Sequence, residues 1–145
     1  MKLISYSINE KIKIGVLEKN KIYDLKSIDS NIAENMIDFI KGGEGQLRLA
    51  KNAIKNSTPK IKREDVKILS PIPNPPSVRD AYAFRQHVAT ARRNRGLDVI
   101  PEFDEIPIFY FTNHHAVYGE GDFLIQKLHS EKLDFELECA AVIGK

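Results

Sequence analysis

Three short runs in which apolar and polar residues alternate open the chain, within KLISYSINEKIKIGVLEKNKIYDLKSI. They are separated by Asn-Glu-Lys and by Glu-Lys-Asn-Lys. Alternation puts every second side chain on one face of a strand, and polar breaks of this length suit tight connections, so the segment predicts an antiparallel meander. The period then changes. From Asn31 to Lys41 the apolar residues Ile32, Met36, Phe39 and Ile40 fall on one side of a helix, with Asn31 at the N-cap, Glu34 three places on and Gly42 as the stop. A second helix is predicted from about Gln46 to Lys55. It turns Leu47, Ala50, Ala53 and Ile54 inward before Ser57-Thr58-Pro59 breaks it.

The texture shifts at VKILSPIPNPP, where a short apolar strand runs into Pro71, Pro73, Pro75 and Pro76. Proline fixes φ and restricts the residue before it, so this stretch predicts a stiff lead-in and a domain boundary. Residues 1–66 are expected to form a small α+β domain and residues 67–145 a second one. Beyond the prolines, Ser77 is placed to cap a helix over RDAYAFRQHVATARRNRG, whose Arg92, Arg93 and Arg95 suit the negative end of the helix dipole. An acidic loop, EFDEIP, follows. The pattern then returns to strands in IFYFTN, AVYG and DFLIQ, with a tight turn at Gly119 and Gly121 around Glu120.

The last segment, LDFELECAAVIGK, puts Asp134, Glu136 and Glu138 on one face of a predicted strand and Leu133, Phe135, Leu137 and Cys139 on the other. Three like charges in a row cost stability unless water, a basic partner or a cation neutralises them. A solvated edge strand is the plain alternative. The run continues into Ala140-Ala141-Val142-Ile143-Gly144, which reads as buried sheet, so the carboxylates stand beside an interior. Oxygen donors there suit Mg²⁺, or a similar ion such as Mn²⁺ or Ca²⁺, over zinc. Glu136 and Glu138, about 6.5 Å apart along a strand, could converge on one ion. Asp80 is a third candidate. His87, seven residues on, would share its helical face about 10 Å away along the axis. Helix capping for Asp80 and a structural or solvated role for His87 are the bland readings.

Charge and composition narrow the function classes. With 22 Lys and Arg against 20 Asp and Glu, the net charge of +2 gives no general attraction for nucleic acid or anionic membranes. The Arg92, Arg93 and Arg95 cluster could bind substrate carboxylates or a phosphate backbone, but a solvated helix end is the preferred reading. His114-His115, with His129, would suggest a transition-metal site, except that neighbours on a strand point opposite ways. The single Cys139 excludes an internal disulfide, fits a reducing compartment, and is expected in buried packing. No apolar run is long enough to span a bilayer and none follows Met1-Lys2 as a signal, so a soluble cytoplasmic protein is expected.

RDAYAFRQHVATARRNRG, then IPIFYFTNHHAVYGEG, then LDFELECAAVIGK, in that order and spacing, resemble the fumarylacetoacetate hydrolase family from about Lys67 to Lys145. The opening meander is similar to that family's small leading domain. The resemblance implies an α+β protein with a β-rich catalytic domain and a helical lid bearing His87. By similarity Asp80, Glu136 and Glu138 correspond to metal-ligating carboxylates, His87 to a general base, and Tyr82 and Tyr110 to residues that contact substrate. Thr90 stands where a local dyad would have Glu, so the arrangement is similar to the fumarylacetoacetase branch, in which a distant acid orients the His. That acid and a further Asp and Lys fall outside the chain, which is expected to be the N-terminal half of such a protein. The implied function is divalent-cation-dependent hydrolysis of a carbon–carbon bond in an acylpyruvate or fumarylacetoacetate-like diketo acid, by a homodimer. Isomerases, decarboxylases and dehydratases of 2-oxo acids in the same family are the nearest alternative, and a non-catalytic cation-binding module is a second.

Overall fold

The computed structural model describes residues 1–121, 131 and 135–144. The fold is α+β. It divides into two compact units, Met1–Pro73 with Tyr118–Lys145, and Asn74–Val117.

The opening alternation does form a meander, from β1 (Lys2–Ile8), β2 (Lys11–Glu18) and β3 (Lys21–Asp24), all antiparallel. The β1–β2 hairpin closes through Asn9 and Glu10, both at positive φ, the two-residue geometry whose twist matches the flanking strands. A helical layer follows, made of α1 (Leu25–Ile28), α2 (Met36–Lys41) and α3 (Gly43–Lys55). Two short strands then complete a five-stranded sheet: β4 (Ile61–Lys62) pairs with β3, β5 (Lys67–Ile68) pairs with β1, and the order is β4-β3-β2-β1-β5. Ile14, Val16 and Tyr23 lie on the face that packs with Leu25, Ile32, Met36, Phe39, Ala50 and Ala53. Ile4, Tyr6 and Ile22 form a second cluster with Ile61, Val66 and Ile68. β5 lies beyond the boundary expected after residue 66, yet it hydrogen-bonds into this first sheet.

The first predicted helix is shorter than its periodicity suggested. Asp29 takes the backbone N–H of Asn31 at 2.9 Å in a local turn, and the capping role passes to Asn35, whose side chain accepts from the Asp38 amide at 2.9 Å. Both asparagines are capping residues by chemistry, and the Asx turn decides between them. The second helix begins at Gly43 instead of Gln46. Gln46 is thus one turn inside, where its side chain accepts from the Ala33 N–H at 2.8 Å and donates to the Asn31 carbonyl at 3.1 Å, fixing the preceding loop.

Two constraints hold this sheet. Gly15 sits where a Cβ would come within 2.7 Å of the Tyr23 carbonyl oxygen and 2.8 Å of Ile22 Cγ2, so only glycine fits between β1 and β3. Asp24 ends β3, accepts from the Ser27 amide at the start of α1, and pairs with Lys13 at 2.7 Å. Burial works to raise the Asp24 carboxyl, but Lys13 and Ser27 outweigh it and hold the group below the usual carboxylate range. Burial, and then the nearby Asp24 charge, push the Tyr6 phenol far above its ordinary range.

In the second unit, β6 (Arg79–Ala81) pairs antiparallel with β7 (Phe109–Phe111), with α4 (Arg85–Asn94) and α5 (Glu102–Glu105) between them. The helix predicted from residue 79 therefore begins six residues later. Arg79–Ala81 are in a ladder, Ala83 N–H turns back onto the Ala81 carbonyl at 2.7 Å, and Ser77 caps nothing in α4, whose N-cap position is Phe84. The α4 C-terminus closes as the sequence suggested, on Gly96 at φ +70 with Leu97 N–H reaching the Arg92 carbonyl at 3.0 Å. The acidic loop contains the single turn α5, and AVYG is not a strand.

The predicted strand DFLIQ, together with His129, Leu133 and Asp134, lies outside the described residues. Residues 135–144 carry no regular structure, and Phe135, Leu137 and Ile143 are 82%, 92% and 88% exposed. The expected strand, with its buried apolar run and packed Cys139, is therefore corrected: Cys139 is exposed. An apolar stretch becomes a sheet strand only when a neighbouring strand satisfies its backbone, and neither sheet of the described residues includes this one. Gly119 makes a close approach instead of a simple turn, since a Cβ there would lie 2.5 Å from the Leu69 carbonyl carbon, and the adjacent Glu120 forms an ion pair with Arg63.

Gly15→Ala is expected to cost about 1–3 kcal/mol, the range for overpacking, as a lower urea midpoint with an unchanged slope. Because the Asp24 carboxyl is depressed in the folded state, its contribution is fully present above the ordinary aspartate range near pH 4. It is lost as pH falls through the lower folded value. Urea titrations from pH 7 to pH 2 should show that loss, and Asp24→Asn should remove about 1–3 kcal/mol at pH 7 and flatten the acid limb.

Candidate functional site

The β6–β7 ladder decides where the second unit's candidate residues stand. Asp80 is directly opposite Tyr110, while Arg79 faces Phe111 and Ala81 faces Phe109. Alternation separates these into two faces. On one, the Arg79 guanidinium lies 3.9 Å from the centre of the Phe111 ring and 5.6 Å from that of Phe109. On the other, half-buried Asp80 and exposed Tyr110 are cross-strand neighbours, and the Tyr110 hydroxyl lies 3.3 Å from Thr112 Oγ1.

Tyr82 continues the ladder, its N–H donating to the Ile108 carbonyl at 3.2 Å. Its ring meets the His87 imidazole edge-on, with centroids 5.5 Å apart. The structure thus brings Asp80 to Tyr110 and Tyr82 to His87. The expected face-sharing of Asp80 and His87 on one helix is corrected, because Asp80 is on a strand and only His87 is on α4. His87 is on the exposed side of a helix whose buried residue is Val88. Thr90, three residues on, accepts from Arg93 at 3.4 Å, and Arg92 donates to the Asp98 carbonyl, so part of the arginine cluster serves the end of its own helix.

Glu136 and Glu138 belong to the exposed, irregular 135–144 segment of the other unit. Carboxylate oxygens suit a hard cation chemically. Among the described residues, however, no three His, Cys, Asp or Glu side chains form a group that could hold a metal ion. His114 and His115 occupy a turn in which Asn113 Oδ1 accepts from the His115 N–H at 3.0 Å. Their rings lie 4.1 Å apart, so the opposite-facing geometry expected of a strand does not apply. No helix of the described residues is long and apolar enough to cross a membrane. The sequence reading passed over Phe103 and Arg85, which flank Tyr82 and His87, because an isolated aromatic within an acidic turn carries no local signal.

Residues 77–145 match the family model described as fumarylacetoacetate (FAA) hydrolase, C-terminal. An oxaloacetate tautomerase FAHD2A, mitochondrial, of Bos taurus is 27% identical over 86% of this chain and 37% of its own length. A fumarylacetoacetate hydrolase domain-containing protein 2 homolog of Dictyostelium discoideum is 29% identical over 100% of this chain and 47% of its own. An oxaloacetate tautomerase fahd2, mitochondrial, of Xenopus laevis is 24% identical over 100% and 44%. The relatives are tautomerases and domain-2 proteins, not fumarylacetoacetases. The chain spans less than half the length of each of these three.

These similarities correct three expectations. The relatives are named as domain-2 proteins and oxaloacetate tautomerases, which overturns the expected fumarylacetoacetase branch and the expected carbon–carbon bond hydrolysis. Both reactions develop the same enolate charge, which is why the residue types did not separate them. Cytoplasmic location is overturned by relatives named mitochondrial. One cysteine reports a reducing environment without saying which one.

Proposed function

We propose that this chain is part of a fumarylacetoacetate hydrolase family enzyme of the tautomerase type, interconverting the keto and enol forms of a 2-oxo dicarboxylic acid such as oxaloacetate. Similarity to proteins named oxaloacetate tautomerase carries the reading. The His87 and Tyr82 ring contact beside the Asp80 and Tyr110 pair supports it. In this reading residues 1–66 are the leading domain, β5 being the strand its sheet takes from beyond the boundary, and residues 67–145 open a β-rich catalytic domain.

The reaction moves one proton. A base takes it from the carbon next to the keto group, negative charge develops on the carbonyl oxygen, and an acid protonates that oxygen to give the enol; the reverse path restores the ketone. His87 is the proposed base, since an imidazole can both take and return a proton at neutral pH. Tyr82 packs against the imidazole edge and limits its rotation. Tyr110, a phenol able to donate, is the proposed partner for the carbonyl oxygen, with Asp80 opposite it on the ladder. Asp80 in the second unit, and Glu136 and Glu138 in the first, are each proposed as oxygen donors to a divalent cation. A homodimer is the proposed assembly. The exposed Phe135, Leu137 and Ile143 offer apolar surface for another surface to cover.

In the whole protein, the decay of enol-oxaloacetate absorbance should accelerate with enzyme, and His87→Ala should reduce that rate by about 10²–10⁴-fold, the usual contribution of a positioned base. An unaltered rate in His87→Ala removes His87 from the mechanism. No acceleration by the unaltered protein overturns the tautomerase reading.

A further inference from the structure

We infer that Arg85, Phe103 and Asp104 form a clasp that sets the orientation of His87, with Phe103 as its central positioning residue. The inference rests on the proposed role of His87 for its functional consequence, but its geometry stands apart from that role. Arg85, the first residue of α4, makes an ion pair with Asp104 on α5, and its guanidinium lies 5.9 Å from the centre of the neighbouring Phe103 ring. Phe103 meets Tyr82 edge-on, with centroids 6.4 Å apart and planes at 86°. Tyr82 meets His87 in the same manner at 5.5 Å and 75°. His87 is again on α4, so the contacts close into a loop.

That closure matters because of helical geometry. Residues two apart project about 200° from one another around the axis, so Arg85 and His87 leave α4 on nearly opposite sides. One contact would let a short helix rotate about its axis. Two contacts from opposite sides, both returning to α5 and Tyr82, fix the rotation. Tyr82 is itself anchored, through its N–H to Ile108, to the β6–β7 ladder that carries Asp80 and Tyr110. The clasp thus gives the imidazole a defined direction relative to the ladder. Edge-on aromatic contacts prefer particular angles, so they transmit orientation as well as proximity. The Arg85 and Asp104 pair is solvent-exposed, and such pairs add little to global stability. Its removal should therefore disturb the imidazole without unfolding the unit.

The test is NMR of the His87 ring in the whole protein, unaltered and as Phe103→Leu, Phe103→Tyr and Asp104→Asn, alongside tautomerisation kinetics. Phe103→Leu and Asp104→Asn should both move the His87 ring resonances, whereas Phe103→Tyr keeps them in place. For Phe103→Leu, kcat should fall roughly tenfold to a hundredfold, as expected for a misplaced catalytic group, with KM nearly constant. If Phe103→Leu does not fold, Asp104→Asn decides alone. His87 resonances that stay unmoved in the folded variants overturn the clasp. Moved resonances in a protein with no tautomerase activity in any form support the clasp and remove the functional reading instead.

Discussion

Pairing of Arg79–Ala81 with Phe109–Phe111 is the constraint on which the second unit depends. It converts a stretch with helical spacing into a strand, sets Asp80 opposite Tyr110, and delays α4 until Arg85. It also leaves Tyr82 at the end of the ladder, where its ring can meet both His87 and Phe103. The cation–π contacts from Arg79 to Phe109 and Phe111 show what local sequence lacks. The residues that stabilise this strand lie about thirty positions away, and nothing in RDAYAF announces them.

The same distinction explains which parts of the fold were legible. The β1–β2–β3 meander was readable because hairpins are local: the strands, the turn residues and the partners are contiguous. Helix α3 was readable for a similar reason, its inward Ala50 and Ala53 repeating at helical spacing. Its start was not, because Gln46 bonds to the loop at residues 31–33 and acts one turn inside the helix. Asn31 and Asn35 are chemically equivalent caps, and only the Asp29 turn distinguishes them. The terminal run AAVIG reads as buried strand from composition, but burial belongs to a strand and its neighbour together. Its side chains are exposed in the described residues.

The candidate chemistry was legible in part and for physical reasons. Carboxylates, a histidine and tyrosines point to an anionic intermediate beside a proton-transferring group, which is what enolate chemistry requires. Whether a carbon–carbon bond then breaks depends on the substrate's next atom and on access of water, and neither is written in Asp80, His87 or Tyr110. Similarity to proteins named tautomerases is what favours the proposed proton transfer over bond cleavage. The residues that would orient His87 were hidden for the reason β6 was. Phe103 and Asp104 matter through what the fold brings to them.

Cross-strand proton contacts test the ladder most directly. The Tyr82 N–H bond to the Ile108 carbonyl makes Ala81 and Phe109 a closely spaced pair without hydrogen bonds of its own. A nuclear Overhauser spectrum of the whole protein should then show a strong contact between the Cα protons of Ala81 and Phe109. Successive contacts of helical spacing, from Arg79 to Tyr82 and from Asp80 to Ala83, with no cross-strand signal, would contradict the placement on which this site is built.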